Sequence, residues 1–175
     1  MCKSKIKKIG CQEEILSYGF YGGILKELIL SFKYKKNFTA GNVLAELLLE
    51  LIKEEKIDIE VICYVPMSKK SIKKRGFNQC EILAKKLGDE LNIPVSNCLV
   101  KKRYTKEQKT LSRNERLENI KGAFEVPKID QIYNKKILLI DDVVTTGATL
   151  SECRYILEKI NPEKITILTI AKSHI

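Results

Sequence analysis

Asp141 and Asp142 stand side by side directly after an unbroken apolar run, Ile137-Leu138-Leu139-Ile140, and lead into Val143-Val144-Thr145-Thr146-Gly147-Ala148-Thr149. Adjacent ionised carboxylates repel, and a core position would desolvate both at a cost of several kcal/mol. They must therefore project into a polar crevice, where acceptor-only groups suit sugar hydroxyls or a hydrated divalent cation. Thr149 and Glu152 have the T-x-x-E spacing of a capping box, which places a helix start immediately after the loop. A tight turn with a glycine and several hydroxyls, feeding a helix N-terminus, aims backbone N–H groups and a positive dipole end at one point. That is a cradle for a phosphate. A ribose 5-phosphate would span the two ends, its hydroxyls on the carboxylates and its phosphate in the cup.

Competing chemistries fit these residues less well. Neither G-x-x-x-x-G-K-[ST] nor G-x-G-x-x-G occurs, which removes the commonest nucleotide cradles. Val143 occupies the place where a phosphoaspartate hydrolase would want its second acid. His174 is the only histidine and lies beside the C-terminus, which weakens a Ser-His or Cys-His hydrolase. The six cysteines include no C-x-x-C, and Cys63, Cys80, Cys98 and Cys153 sit in apolar settings that suit small hydrophobes. Cys2 and Cys11 read as two unpaired thiols or as two ligands of a zinc site, and a closed site needs four. No metal held by the protein is expected.

Charge is distributed unevenly. The formal net charge is +10, from 32 basic and 22 acidic residues. Residues 66–79 carry Lys69, Lys70, Lys73, Lys74 and Arg75 with no acid, and residues 101–116 carry Lys101, Lys102, Arg103, Lys106, Lys109, Arg113 and Arg116 against Glu107 and Glu115. These two stretches account for the whole excess. Two basic loops point to a polyanionic ligand, a polyphosphate or a nucleic acid; the alternative is ordinary solvated surface.

The elements that must position these groups follow from periodicity. The paired positions Ile24/Leu25, Leu28/Ile29 and Phe32, then Val43/Leu44, Leu47/Leu48 and Leu51/Ile52, predict two amphipathic helices. Val61–Val65 closes on Pro66 and reads as a buried strand. Cys80, Leu83, Ala84, Leu87 and Leu91 share a helical face, and Cys98-Leu99-Val100 is expected to be the next strand. The polar stretch 101–119 reads as a long functional or mobile loop. Gly122-Ala123-Phe124 is a short strand, and Ile137–Ile140 is the central one. Leu150, Cys153, Ile156/Leu157 and Ile160 mark a helix, and Ile165–Ile170 a last strand. This alternation predicts an α/β fold, a mainly parallel sheet flanked by helices, with additional N-terminal helices. At 175 residues one domain is expected over 18–175, preceded by a basic lead-in over 1–17. No apolar run of membrane-spanning length and no signal-peptide core follows the basic N-terminus, so a cytoplasmic protein without membrane insertion is expected.

The segment Ile137–Thr149 resembles the phosphoribosyl-pyrophosphate (PRPP) signature of type I phosphoribosyltransferases. Val65-Pro66-Met67-Ser68 with Lys74-Arg75-Gly76-Phe77-Asn78-Gln79 is similar to an element of the ComF-like competence proteins. So are Arg103, Thr105, Gln108, Leu111, Arg113, Arg116, Asn119 and Gly122-Ala123-Phe124, and the earlier Tyr21-Gly22 and Phe32-Lys33-Tyr34. The resemblance covers nearly the whole chain from about residue 18. It implies a type I phosphoribosyltransferase-like fold and a glycosyltransferase-class reaction, or a domain that only binds or senses PRPP. Asp141 and Asp142 would hold the ribose hydroxyls as the catalytic acids, and Val143, Val144, Thr145, Thr146, Gly147, Ala148 and Thr149 would cradle the 5-phosphate. Met67, Ser68, Lys69 and Arg75 would approach the pyrophosphate, with Lys102 and Arg103 from a mobile cover at 101–116. Phe77 reads as structural and Arg75 as functional. Mg²⁺ is the implied cofactor, bound through the ligand's pyrophosphate and ribose hydroxyls. Implied partners are PRPP or another phosphorylated sugar, and single-stranded DNA or a DNA-uptake helicase. Such proteins commonly begin with a cysteine-rich zinc ribbon, of which Cys2 and Cys11 would be a remnant.

Overall fold

Side chains of the central strand enter two cores in turn in the computed structural model, which describes residues 5–6, 15–103 and 113–173. Leu138 and Ile140 of that strand enter one core cluster, while Ile137 and Leu139 enter another on the opposite face. A strand apolar on both faces must be covered on both, and the chain supplies helices for each.

In chain order the elements begin with β1 (Lys5–Ile6), β2 (Ile15–Phe20), α1 (Gly23–Lys35), α2 (Phe38–Glu54) and β3 (Val61–Tyr64). They continue with α3 (Lys69–Arg75), α4 (Gln79–Leu91), β4 (Val95–Ser96), β5 (Val100–Lys101) and α5 (Arg113–Ile120). Last come β6 (Phe124–Glu125), β7 (Lys136–Val144), α6 (Ala148–Glu158) and β8 (Lys164–Lys172). The main sheet has the order β1-β2-β8-β7-β3-β4, and every pairing is parallel except that of β1 with β2. Helices α1, α2 and α4 bury Phe32, Leu44, Leu48 and Leu83 on one face. Helix α6 covers the other with Leu150, Cys153 and Leu157, joined by Phe124 of the small antiparallel ribbon β5–β6. Among the described residues no helix is long and apolar enough to cross a membrane.

The fold is thus the α/β architecture expected, with several corrections. The boundary expected at residue 18 runs through β2, because Ile15, Leu16 and Ser17 pair with Ile167, Leu168 and Thr169 of β8. The segment is short, and the polar Gln12, Glu13 and Glu14 directly before it hid its apolar start. The stretch 66–79 is not a basic loop but holds α3, capped by Ser68, whose Oγ accepts from the Ser71 N–H at 3.1 Å. The strand expected at Cys98–Val100 belongs to the ribbon, as β5, and the main sheet takes Val95–Ser96 instead. Residues 113–119 of the expected loop belong to α5, while 104–112 lie outside the described residues. Strand β7 does not stop at Ile140 but runs through both acids to Val144, because β8 continues beside it as far as Lys172.

Candidate functional site

The carboxyl ends of β3 and β7 open onto one cavity of about 480 Å³, as the topology of an open parallel sheet requires. One wall is the strand-to-helix turn from Asp141 to Leu150. Gly147 is the N-cap of α6 with φ 77°, a left-handed conformation that disfavours any side chain. Its carbonyl accepts from the Ser151 N–H at 2.8 Å, and the Ala148 N–H donates to Thr146 Oγ1 at 3.4 Å. The T-x-x-E capping box expected at Thr149 is not formed. Helix α6 is capped two residues earlier, at Gly147, and Glu152 instead accepts from the backbone N–H of Gly122 at 2.7 Å, tying α6 to the segment before β6. Val143, Val144, Thr145, Thr146, Gly147, Ala148 and Thr149 all line the cavity, beside an eleven-residue helix whose N-terminal dipole end points to the same turn.

The acids share this cavity, but their environments differ. Asp141 is half-buried, and burial together with the neighbouring Asp142 charge pushes its carboxyl up to about 7. Its Oδ1 accepts from the Asp142 N–H at 2.9 Å and lies 3.5 Å from the Cys80 thiol, which donates to it. Asp142 is only 7% exposed. Its Oδ2 forms an ion pair with Lys33 Nζ at 2.8 Å and accepts from Gln79 Nε2. Burial disfavours the Lys33 ammonium, but Asp142 outweighs it and holds the Lys33 pKa above its ordinary value. Gln79 Oε1 in turn accepts from the Arg75 guanidinium, which also stacks over the Tyr34 ring at 5.3 Å and touches Met67 Sδ at 3.6 Å.

Lys33 and Gln79 were not among the expected site residues. A signal existed for Lys33: it follows Ile29 by four positions, so it continues the buried face of α1 with a charge. Such a lysine demands a partner. Gln79 sits beside Asn78, whose side chain caps α4 by accepting from the Cys80 N–H at 3.0 Å and donates to the Val65 carbonyl at 3.1 Å. Asn78 is therefore structural, and so is Phe77, which packs on Phe32 and Phe38 with ring centroids 5.3 and 5.4 Å apart.

The basic wall is built differently from the sequence expectation. Met67, Ser68 and Arg75 line the cavity, whereas Lys69 is not part of its lining and Lys70, Ser71 and Lys74 take that wall. Lys102 and Arg103 also lie outside the lining. Lys102 pairs with Glu125 at 3.5 Å, and Arg103 donates to the Lys121 carbonyl at 2.6 Å. Lys101 faces the cavity in their place, over the Phe124 ring at 5.6 Å, and burial lowers its pKa. Lys101 ends β5 and Lys102 lies beyond it, and the sequence did not reveal where that short strand stops.

Cys80, Asp141 and Asp142 bring ligand-capable atoms within 4.8 Å of one another. Burial, with Asp142 next, raises the Cys80 thiol well above its ordinary pKa, and Asp142 already carries the Lys33 ammonium. That donor set is a poor first shell for a hard divalent cation.

Residues 70–174 match the family model described as the phosphoribosyl transferase domain. The chain is 32% identical over 180 aligned positions to Competence protein F of Haemophilus influenzae, covering 98% of this chain and 78% of that protein. It is 30% identical over 157 positions to Competence protein ComFC of Streptococcus pneumoniae, covering 87% of this chain and 65% of that one. In structure it resembles the purine phosphoribosyltransferase from Pyrococcus horikoshii, with a TM-score of 0.51 at 19% identity, over 75% of this chain and 82% of that one. A likeness at that identity concerns the fold. With a matching family model, a matching sheet and relatives aligned along nearly its whole length, the chain belongs to the phosphoribosyl transferase domain family, among the competence F proteins.

Proposed function

We propose that the chain binds PRPP and transfers its phosphoribosyl group in a Mg²⁺-assisted reaction linked to DNA uptake. One observation carries this reading: the acid pair, the Gly147 turn and the basic face of α3 meet in a single cavity. Acids flanked by a phosphate-type turn and a basic face suit a ligand with a hydroxylated ring between two phosphate ends. The 5-phosphate is received by the turn at the N-terminus of α6. The ribose hydroxyls donate to the acids, and the pyrophosphate lies against Lys70, Lys74, Arg75 and Lys101.

Breaking the bond between the anomeric carbon and pyrophosphate leaves positive charge on the sugar and negative charge on the departing group. The basic wall is placed to stabilise the latter, and the acids to stabilise the former. Mg²⁺ carried on the ligand supplies further neutralisation of the pyrophosphate. Excluding water from the bound ligand would keep it from capturing the sugar cation.

Calorimetry with PRPP and Mg²⁺ tests the binding step. Wild type should bind, and Asp141→Asn should weaken binding strongly; no binding by wild type, or equal binding by the variant, would sink the proposal. Pyrophosphate release in the presence of base mixtures then tests turnover. A second reading, a non-catalytic module that handles single-stranded DNA or senses PRPP, is favoured by the relatives' names, which include "DNA utilization protein" of Escherichia coli. PRPP binding without pyrophosphate release would support sensing. Salt-dependent binding of oligonucleotides, weakened by Lys70→Ala/Lys74→Ala, would support DNA handling.

A further inference from the structure

Asp142 is almost fully buried, and a buried carboxylate without compensation is costly. Its compensation comes from a separate element. Lys33 reaches across from α1 with a side chain only 16% exposed and meets Oδ2 at 2.8 Å, and Gln79 donates to the same oxygen. Arg75, on the basic wall, holds the other end of the Gln79 amide. The position of Lys33 is itself fixed by its neighbour Phe32, which is 1% exposed and wedged between Phe38 and Phe77.

We propose that Lys33 is a positioning residue for the sugar-binding acids: it clamps Asp142 against Gln79, so that Asp141 is the carboxylate presented to the ribose. The inference rests on the PRPP reading above and divides between the two acids a task that the sequence assigned to both. Asp142 anchors and Asp141 contacts. The orientation passes from one to the other through the Asp142 N–H, which donates to Asp141 Oδ1. Lys33 also lines the cavity, so direct contact with a phosphate is the competing role.

Two ligands separate the roles. Inorganic pyrophosphate carries the phosphate chemistry without the sugar, and PRPP carries both. Lys33→Met should weaken PRPP binding by about tenfold, the size expected of coupled neighbours, and leave pyrophosphate binding unchanged. Asp142→Asn should match it. The double variant should lose no more than either single one, because both remove the same clamp. Lys33→Arg should restore most of the PRPP affinity. Unfolding midpoints establish that each variant is folded; if Lys33→Met is not, the charge-balanced double variant and Lys33→Arg carry the comparison. Pyrophosphate affinity falling together with PRPP affinity, or losses that add in the double variant, would overturn the inference and make Lys33 a phosphate ligand. Wild type that binds PRPP no better than Lys33→Met overturns this inference alone. Wild type that binds no PRPP at all overturns the proposed function and the inference with it.

Discussion

Gly41 of α2 lies directly beneath the ring of Phe32 on α1: a methyl group at Gly41 would meet Phe32 Cε2 at 2.7 Å. The ring cannot easily give way, because Phe38 and Phe77 hold its other sides. Gly41→Ala should therefore cost about 1–3 kcal/mol through overpacking. The unfolding midpoint should drop by several degrees, and PRPP affinity should fall with it, since Lys33 is the next residue along α1. A midpoint equal to wild type would mean that the two helices separate without penalty.

Asp141 ties stability to pH. Its carboxyl titrates near 7 when folded, against roughly 4 when unfolded. Between those values the folded state binds more protons, so stability falls as pH rises from about 4 to about 7 and is level above that. The groups facing it are Asp142, Lys33 from α1, Cys80 from α4, Lys101 from β5 and Cys153 from α6. Asp141→Asn removes the titration. Its stability relative to wild type should grow by about 4 kcal/mol across that window, read from unfolding midpoints at several pH values. A constant difference between the two proteins at every pH would contradict this account.

Gly147 should tolerate no side chain. At φ 77° an alanine costs about 1 kcal/mol, and relief of that strain would move the amides of the turn. Gly147→Ala is expected to bind inorganic phosphate and PRPP several-fold more weakly in calorimetry while keeping its secondary structure by circular dichroism. Unchanged phosphate affinity would show that the turn is not the phosphate cup.

Ser17 Oγ and Thr169 Oγ1 form a buried pair 2.7 Å apart between β2 and β8. Thr169→Val strands the Ser17 hydroxyl and should cost about 1–3 kcal/mol in urea unfolding. Adding Ser17→Ala should recover part of that loss, because no unpaired donor then remains. Additive losses would mean that the two hydroxyls act independently.

Where side chains repeat with a clear period, the sequence was easy to read. Ile137–Ile140 declared a covered strand, Leu44 and Leu48 a helix face, and the acid pair followed by Gly147 a ligand turn. Elements that lean on distant partners were not legible. Lys69–Arg75 carries a single apolar residue, Ile72, and so shows no apolar face, yet Ser68 caps it as a helix. Ile15–Phe20 is too short to announce itself and takes its order from β8. The site was legible by residue type and obscure by direction. Lys101 rather than Lys102 lines the cavity, and Lys70 and Lys74 rather than Lys69, because lining depends on where each short element starts and stops. Lys33 was hidden for another reason: its partner Asp142 is distant in sequence, and only packing brings them together.

The neighbours β2 and β8 have a consequence for the chain's assembly. Ser17 and Thr169 are 152 residues apart, so the ribosome needs roughly 8–30 s to make the second after the first. Until then Ile15 and Leu16 have no parallel strand to rest against, and β8 is also the strand that joins them to β7. The helical layer of α1 and α2 can gather early from local contacts, whereas the sheet closes only when its final strand arrives.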